Sequence, residues 1–186
     1  MPRAQPYTAT VLMSGGIDST ACIHFLQQRG ERPHGLFINH GQAAASQEAR
    51  AIAALASRLN IDVDTFQLSG TTQFGTGELV GRNAMLIFNA LFLTQGCGGL
   101  LAVGIHAGTP YFDCSEAFIS QVKRLVSEHT DGRVALIAPF IKWSKRDVFE
   151  YFRRESLPLE LTYSCEAGTD PPCGRCASCW DRLALV

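Results

Sequence analysis

The chain alternates short apolar runs with longer segments in which apolar residues recur every three or four positions. Five apolar runs have the length of strands, namely Ala9–Met13, Gly35–Asn39, Asp62–Gln67, Leu100–Gly104 and Val134–Pro139. Five segments have helical periodicity, namely Ser19–Arg29, Ser46–Leu59, Arg82–Gln95, Glu116–His129 and Lys145–Glu155. Strands that alternate with helices predict crossover connections and a parallel sheet covered on both faces. The predicted fold class is therefore α/β, with a doubly wound, Rossmann-like sheet of five parallel strands.

The helical segments also predict which side chains face the core and where one helix begins. In the fourth segment, Phe118, Val122 and Leu125 recur at helical spacing and predict one buried face. Ser144 is followed three positions later by Asp147, which predicts a capping box at the start of the fifth helix.

In open parallel sheets, ligands bind beyond the carboxyl ends of the strands. The segments that follow the predicted strands are Ser14–Ser19, His40–Gln42, Leu68–Asn83, Ile105–Cys114 and Phe140–Lys142. Within the third of these, the glycine- and threonine-rich stretch Ser69–Gly81 predicts a mobile loop over the site. The end of the chain does not continue the alternation of strands and helices, so we expect one domain over 1–186 with a small C-terminal appendix at 163–182.

Composition and charge narrow the function classes. The chain has 186 residues, 46% apolar and 18% charged, which is typical of one globular domain. A net charge of −1 gives no electrostatic preference for nucleic acid or an anionic membrane, so neither is an expected partner. No secretory or membrane-spanning apolar segment is evident, and we expect a cytoplasmic protein. In that compartment, seven cysteines indicate metal ligands or reactive thiols rather than disulfides.

The turn Ser14-Gly15-Gly16-Ile17-Asp18-Ser19 directly follows the first strand and opens the first helix. A helix N-terminus offers unpaired N–H groups to an anion, and paired glycines let a phosphate approach the backbone. The alternative is a plain glycine turn with Asp18 or Ser19 as helix cap. The turn predicts an ATP site in which Asp18 caps the helix or holds Mg²⁺. The expected nucleotide-binding residues are Met13, Ser14, Gly15, Gly16, Ile17, Asp18, Ser19 and Thr20, with Lys145 as a further phosphate contact.

Four cysteines near the end of the chain have metal-ligand spacing, C-x7-C-x2-C-x2-C. They are Cys165, Cys173, Cys176 and Cys179. Four thiolates in one loop suit a tetrahedral structural Zn²⁺ site, and an iron–sulfur cluster is the alternative. Cys22 and Cys97 are expected to be buried, and Cys114 lies in a segment on the ligand side of the sheet.

The glycine turn resembles the S-G-G-x-D-S loop of the PP-loop ATP pyrophosphatases, and together with the cysteines it resembles the 7-cyano-7-deazaguanine synthase (QueC) family. Intermediate motifs agree with that resemblance, namely His40-Gly41-Gln42, Gly81-Arg82-Asn83, Phe112-Asp113-Cys114 and Thr162-Tyr163-Ser164-Cys165. The resemblance implies a fold of the adenine nucleotide alpha hydrolase type, a homodimer, and an ATP-dependent ligase. The implied reaction converts 7-carboxy-7-deazaguanine and ammonia to the 7-nitrile in queuosine biosynthesis, through an adenylated acid and an adenylated amide.

Residue roles follow from that chemistry. Ser14, Asp18, Ser19 and Arg82 are the expected catalytic residues, and Lys142 or Lys145 is expected to add positive charge at the pyrophosphate. A carboxylate can accept two hydrogen bonds from the N–H edge of the deazaguanine ring. Asp113 is the first candidate and Glu116 the second, and the alternative for both is a helix N-cap or first-turn position. In the same segment, His106 and Tyr111 or Phe112 are expected to orient or stack on the substrate.

The chain departs from the family pattern around the substrate. The stretch Ala107–Tyr111 is shorter than in the family, Phe112 replaces a proline, and Ser115 follows the cysteine. These changes leave open a QueC-like amide ligase that joins a deazaguanine acid to another amine or a protein terminus in a bacterial defence system. A tRNA-thiolating pyrophosphatase and a nucleotide-binding regulator without turnover are the remaining alternatives.

Overall fold

The computed structural model describes residues 7–70, 74–96 and 98–185. Its core is a five-stranded parallel sheet of strand order β3-β2-β1-β4-β5. The strands are β1 (Ala9–Met13), β2 (Pro33–Asn39), β3 (Val63–Gln67), β4 (Gly99–Ala102) and β5 (Val134–Ile137). The chain order reverses on either side of β1, so the switch point lies at the carboxyl ends of β1 and β4. This topology confirms the predicted fold class.

Six α-helices accompany the sheet in the described ranges. They are α1 (Ile17–Gln27), α2 (Ala45–Leu59), α3 (Arg82–Leu93), α4 (Glu116–His129), α5 (Lys145–Arg154) and α6 (Ala177–Leu185). Helices α1, α2 and α5 pack on one face of the sheet around Val11, Phe37 and Phe152. Helices α3 and α4 cover the other face around Ile87, Leu101 and Val122. Sequence periodicity did not identify α6, which is short and begins between two of the cysteines.

Several local predictions are tested directly. The capping box is confirmed, because the Ser144 hydroxyl accepts from Asp147 N–H while the Asp147 carboxylate accepts from Ser144 N–H. The prediction that Leu125 is buried is wrong, since it is 42% exposed on the outer side of α4. Cys22 is fully buried as expected, whereas the prediction for Cys97 falls outside the described residues, as does part of the predicted loop Ser69–Gly81. Among the described residues, no helix combines the length and apolar character needed to cross a membrane.

Candidate nucleotide and metal sites

The turn after β1 adopts a conformation that depends on its first glycine. Gly15 has φ +72°, in the left-handed region that disfavours a side chain. A Cβ on Gly15 would also lie 3.0 Å from the carbonyl oxygen of Glu48 and 3.0 Å from the Cβ of Ala51. The next glycine, Gly16, is the N-cap of α1 and uses no side chain to cap it. Because α1 begins at Ile17, Asp18 and Ser19 lie in its first turn and neither caps it, so the capping role considered for them is wrong.

The hydroxyl groups of the turn differ in whether they are already hydrogen-bonded within the turn or are accessible to a ligand. Thr20 is fully buried, and both its hydroxyl and its N–H donate to the carbonyl of Gly16, at 2.8 and 3.2 Å. The Ser14 and Ser19 hydroxyls lie 3.3 Å apart, and Ser14 is exposed at the mouth of the turn. The side chains of Met13 and Ile17 are buried in the core, so only their backbone could meet a nucleotide. The geometry therefore assigns Thr20 to support of the turn and leaves Ser14 available to a phosphate.

Asp18 lies at the centre of a charged cluster built from three elements. Its Oδ2 is 2.5 Å from Lys145 Nζ at the start of α5 and 4.0 Å from His106 Nε2 after β4. Its Oδ1 is buried and has no hydrogen-bond partner among the described residues. A buried carboxylate oxygen without a partner costs free energy unless a ligand pairs with it. Since Mg²⁺ prefers oxygen ligands, Oδ1 fits the magnesium role predicted for this residue.

Gly104, two residues after the end of β4, contacts the backbone of this cluster. A Cβ on Gly104 would lie 2.8 Å from the backbone carbonyl of Asp18 and 3.0 Å from Ser19 N. Only a glycine lets the two backbones approach this closely, so Gly104 fixes the position of the first turn of α1. No feature of the local sequence around Gly104 indicated this contact.

The motif Gly81-Arg82-Asn83 opens α3 and docks against Asp113. Asn83 N–H donates to Asp113 Oδ2 at 3.1 Å, and the Asn83 side chain donates to the Asp113 carbonyl at 3.1 Å. The thiol of Cys114 donates to Asp113 Oδ1 at 3.7 Å. Asp113 thus supplies a tertiary cap to α3, whereas the capping alternative considered for it concerned α4, whose N-cap is Ser115. Its Oδ1, which faces only a weak thiol donor among the described contacts, remains the oxygen available to a substrate.

Arg82 is exposed, and its charge acts on one side chain in the β2–α2 loop and one in α2. Burial lowers the pKa of His40, and the Arg82 guanidinium lowers it further. Burial raises the pKa of Glu48, against the opposing effects of Gln42 and Arg82. Gln42 Nε2 donates to Glu48 Oε2 at 2.7 Å and so joins the β2–α2 loop to α2. Glu48 was not identified from the sequence, where it looks like an ordinary acidic residue in the first turn of a helix.

The remaining predicted substrate residues lie around the start of α4. Glu116 is exposed and lies 3.6 Å from Lys142 Nζ, so these two candidates form an ion pair across the β5–α5 connection. Phe112 is 62% exposed and packs edge-on against Phe118. Tyr111 is partly buried, next to a short 3₁₀ turn at Phe112–Cys114.

The four predicted metal ligands converge. The Sγ atoms of Cys165, Cys173, Cys176 and Cys179 all lie within 4.8 Å of one another. Thiolates around one tetrahedral zinc are about 3.8 Å apart, given Zn–S bonds of about 2.3 Å. Burial opposes ionisation of Cys165, but hydrogen bonds centred on Cys173 outweigh it and lower the Cys165 pKa to about 5. The cluster therefore fits a thiolate-bound metal ion.

The segment that carries the cysteines reaches the nucleotide turn directly. Tyr163 N–H donates to the carbonyl of Gly15 at 2.9 Å, so a residue two positions before Cys165 fixes the phosphate turn. Together, β1, α1 and this segment place the glycine turn at the switch point of a doubly wound sheet, where turns of this kind can bind phosphate. The protein thus has the architecture of a nucleotide-binding α/β domain with an attached metal segment.

The chain belongs to the QueC family. The model of that family, described as "Queuosine biosynthesis protein QueC", matches residues 8–87 and 79–185. A 7-cyano-7-deazaguanine synthase of Prochlorococcus marinus is 29% identical over 202 residues, covering 92% of this chain and 89% of that protein. A protein of the same name from Haloarcula marismortui is 30% identical and covers 94% of this chain and 88% of its own length.

A solved structure shares the fold at lower identity. The NMN synthetase of Francisella tularensis superposes with a TM-score of 0.55 at 18% identity, over 88% of this chain and 68% of that one. At this identity the likeness concerns the fold alone.

Proposed function

We propose that the protein is an ATP-dependent C–N ligase that converts 7-carboxy-7-deazaguanine and ammonia to 7-cyano-7-deazaguanine. The observation that carries the proposal is Asp18 Oδ1, which is buried in the glycine turn at the switch point and has no hydrogen-bond partner among the described residues. It occurs in a chain that matches synthases of that product over more than nine-tenths of its length.

The proposed reaction uses two ATP for each nitrile. A carboxylate oxygen of the substrate attacks the α-phosphorus of ATP and displaces pyrophosphate, which gives an acyl adenylate. Ammonia attacks the acyl carbon and expels AMP, and loss of a proton leaves the amide. The amide oxygen then attacks a second ATP, again releasing pyrophosphate. Loss of AMP and of the remaining nitrogen-bound protons forms the nitrile, so each carboxylate oxygen leaves in one AMP.

The residues of the phosphate turn would hold the departing pyrophosphate. The N–H groups at the start of α1 and the Ser14 hydroxyl are the available donors. Lys145, close to Asp18, and Arg82 at the start of α3 would stabilise negative charge that develops there. Mg²⁺ bound at Asp18 would supply charge neutralisation for the phosphates.

Asp113 is proposed to recognise the ring. Its carboxylate is anchored by Asn83, which fixes its orientation, while Oδ1 accepts only from the Cys114 thiol among the described residues. Glu116 is engaged with Lys142 and is the weaker candidate. The curated relatives are named for the cyano product, which supports the nitrile over an amide as the end point.

Zinc is the proposed occupant of the cysteine cluster, and a homodimer is the proposed assembly. Closely spaced thiolates within one short segment support a structural zinc ion.

For the dimer, Phe92 on α3 is 70% exposed and Leu125 on α4 is 42% exposed, on the sheet face covered by these two helices. Phe92 also lines a cavity of about 380 Å³ between the ends of α3 and α4. A second copy covering this surface would bury both side chains, and light scattering of Phe92→Ser should report a monomer.

The reaction is tested with purified protein, ATP, Mg²⁺ and 7-carboxy-7-deazaguanine, with and without ammonium, with products measured by mass spectrometry. We expect the nitrile and two AMP per turnover only when ammonium is present. An adenylate or amide that never becomes nitrile would contradict the second half of the reaction and point to the shortened loop Ile105–Ser115. No AMP with any addition would contradict the proposal altogether.

A further inference from the structure

Glu166, directly after the metal ligand Cys165, joins two segments that are far apart in the sequence. Its Oε2 accepts from Gly77 N–H at 2.9 Å, in the loop that leads to α3. Its Oε1 accepts from Ser178 N–H at 3.1 Å and from the Ser178 hydroxyl at 2.8 Å, in the first turn of α6. One carboxylate oxygen of Glu166 therefore binds the loop before α3, and the other binds the first turn of α6.

The loop held at Gly77 borders the proposed active site. In residues 74–81, which we call the bridge loop, Phe74 pairs with Gln42 in an isolated β-bridge and packs edge-on against His40. The bridge loop ends at Gly81, the N-cap of α3, directly before Arg82. The position of Arg82 thus depends on where the bridge loop is fixed.

The same cysteine segment also braces the other loops of the site. Tyr163 holds Gly15 in the phosphate turn, and Gly168, at φ +68°, packs so closely on the backbone of Ala43 and Ala44 that a side chain would not fit. Three loops at the carboxyl edge of the sheet are therefore in contact with residues 163–168. A segment that only closed the chain around a metal would need none of these contacts.

We propose that Glu166 is a positioning residue that couples the cysteine cluster to the bridge loop and Arg82, so that metal binding orders the nucleotide site. The coupling runs from Cys165 through the adjacent Glu166 to Gly77, and from Ser178 back to Cys176 and Cys179 on either side of it. The effect on catalysis rests on the proposed function, whereas the effect on loop order does not.

Glu166→Gln is the direct test. An amide has one oxygen, and the two donors of Ser178 favour it over the single Gly77 N–H, so we expect glutamine to keep the Ser178 contact and lose the Gly77 contact. We expect hydrogen exchange of residues 74–81 to rise about tenfold, as for loss of one charge-assisted hydrogen bond. The zinc content should stay equal to that of the wild type. Glu160→Gln, which replaces an exposed carboxylate in the 3₁₀ turn just before the cysteine segment, is the matched control and should leave exchange unchanged.

Two further experiments distinguish positioning of the bridge loop by Glu166 from capping of α6 alone. Ser178→Ala removes one donor but keeps the Gly77 contact, so the bridge loop should stay protected while α6 loosens. Removing the metal by chelation from the wild type should raise exchange in 74–81 as well as in 163–179. Unchanged exchange of 74–81 in Glu166→Gln, or after chelation, would overturn the proposal.

Kinetics give a second readout, with kcat expressed per folded molecule because loss of folded protein alone would also lower the apparent kcat. Because Arg82 is proposed to act on charge that develops during the reaction, Glu166→Gln should lower kcat and leave the KM for ATP close to the wild-type value. A raised KM with unchanged kcat would overturn the link to Arg82. If the wild type makes no AMP, the exchange measurements still decide the coupling, so the two failures are distinguishable.

Discussion

Lys145 and Asp18 lie 127 positions apart in the sequence, yet the Lys145 ammonium is 2.5 Å from Asp18 Oδ2. The contact joins the first residue of α5 to the first turn of α1, and the second Asp18 oxygen, Oδ1, is buried with no hydrogen-bond partner in the part of the chain that the structure describes. One oxygen of the carboxylate therefore pairs with a cation of the chain itself. Because a buried carboxylate oxygen without a partner costs free energy, Oδ1 is the oxygen at which a bound ligand would be stabilising.

Asp18→Asn is expected to lower the rate of AMP formation by about 100-fold or more, since the amide carries no charge to hold a metal–phosphate group. The measurement is ATP turnover with saturating substrate and Mg²⁺. Asp131→Asn is the control, because Asp131 is exposed in a turn at φ 51°, where asparagine is tolerated. Wild-type turnover in Asp18→Asn would refute the assigned role.

Gly104→Ala is expected to displace the first turn of α1, because the new Cβ would meet the Asp18 backbone at 2.8 Å. We expect the free energy of unfolding to fall by about 1–3 kcal/mol and the KM for ATP to rise. Urea denaturation and steady-state kinetics measure the two effects. Gly70→Ala is the matched control, since no atom of the described residues lies within 4 Å of its added Cβ. Equal losses in both variants would contradict a specific contact.

Asp113→Asn is expected to raise the KM for 7-carboxy-7-deazaguanine by about tenfold, because the amide replaces an acceptor oxygen with a donor that opposes the ring N–H groups. The KM for ATP should not change. Since Asp113 also caps α3, thermal unfolding is measured alongside. A loss of stability with normal substrate KM would assign Asp113 to capping alone.

Glu48→Gln is expected to stabilise the protein at neutral pH. Burial raises the pKa of Glu48 in the folded protein above its unfolded value of about 4.3. The contribution of Glu48 to the free energy of unfolding is therefore fully present below a pH of about 4.3, where the carboxyl is protonated in both states, and is lost as the pH rises through the folded pKa. Glutamine retains an oxygen for Gln42 and carries no charge. The variant should therefore gain up to about 1 kcal/mol over the wild type at pH 8, and less at pH 5.

Urea denaturation across that range measures the difference. Glu150→Gln replaces an exposed carboxylate on α5, and its free energy of unfolding should equal that of the wild type at both pH values. A Glu48→Gln protein that is less stable than the wild type at pH 8 would reverse the sign and contradict the argument.

Cys173→Ser is expected to lose bound metal, because three thiolates hold zinc far more weakly than four. Elemental analysis of the purified protein measures zinc per chain and also detects iron. Cys22→Ala is the control, since Cys22 is buried in the core away from the cluster. Full metal content in Cys173→Ser, or iron with sulfide in the wild type, would contradict the zinc site.

Local patterns predicted much of this molecule. The strands and helices follow from periodicity, and the phosphate turn follows from adjacent glycines, hydroxyls and a carboxylate within six positions. The cysteine cluster follows from spacing, because ligands two residues apart reach one metal. In each case the interacting groups are neighbours in the sequence.

The parts that could not be predicted depend on contacts between distant loops. Glu48, Gly104 and Glu166 each look ordinary beside their sequence neighbours, and their roles come from Gln42, Asp18 and Gly77. The exposure of Leu125 was missed for a related reason. Helical spacing identifies a stripe of apolar residues but not how far across that stripe the sheet extends.

The hydrogen bond from Tyr163 to Gly15 has a consequence for protein synthesis. Domains begin to fold from their early segments while translation continues. A nascent chain that has emerged only as far as β5 carries the phosphate turn without its partner and without the cysteines. We therefore expect ribosome-bound chains to hold ATP poorly, so that adenylated intermediates form only on completed, metal-loaded molecules.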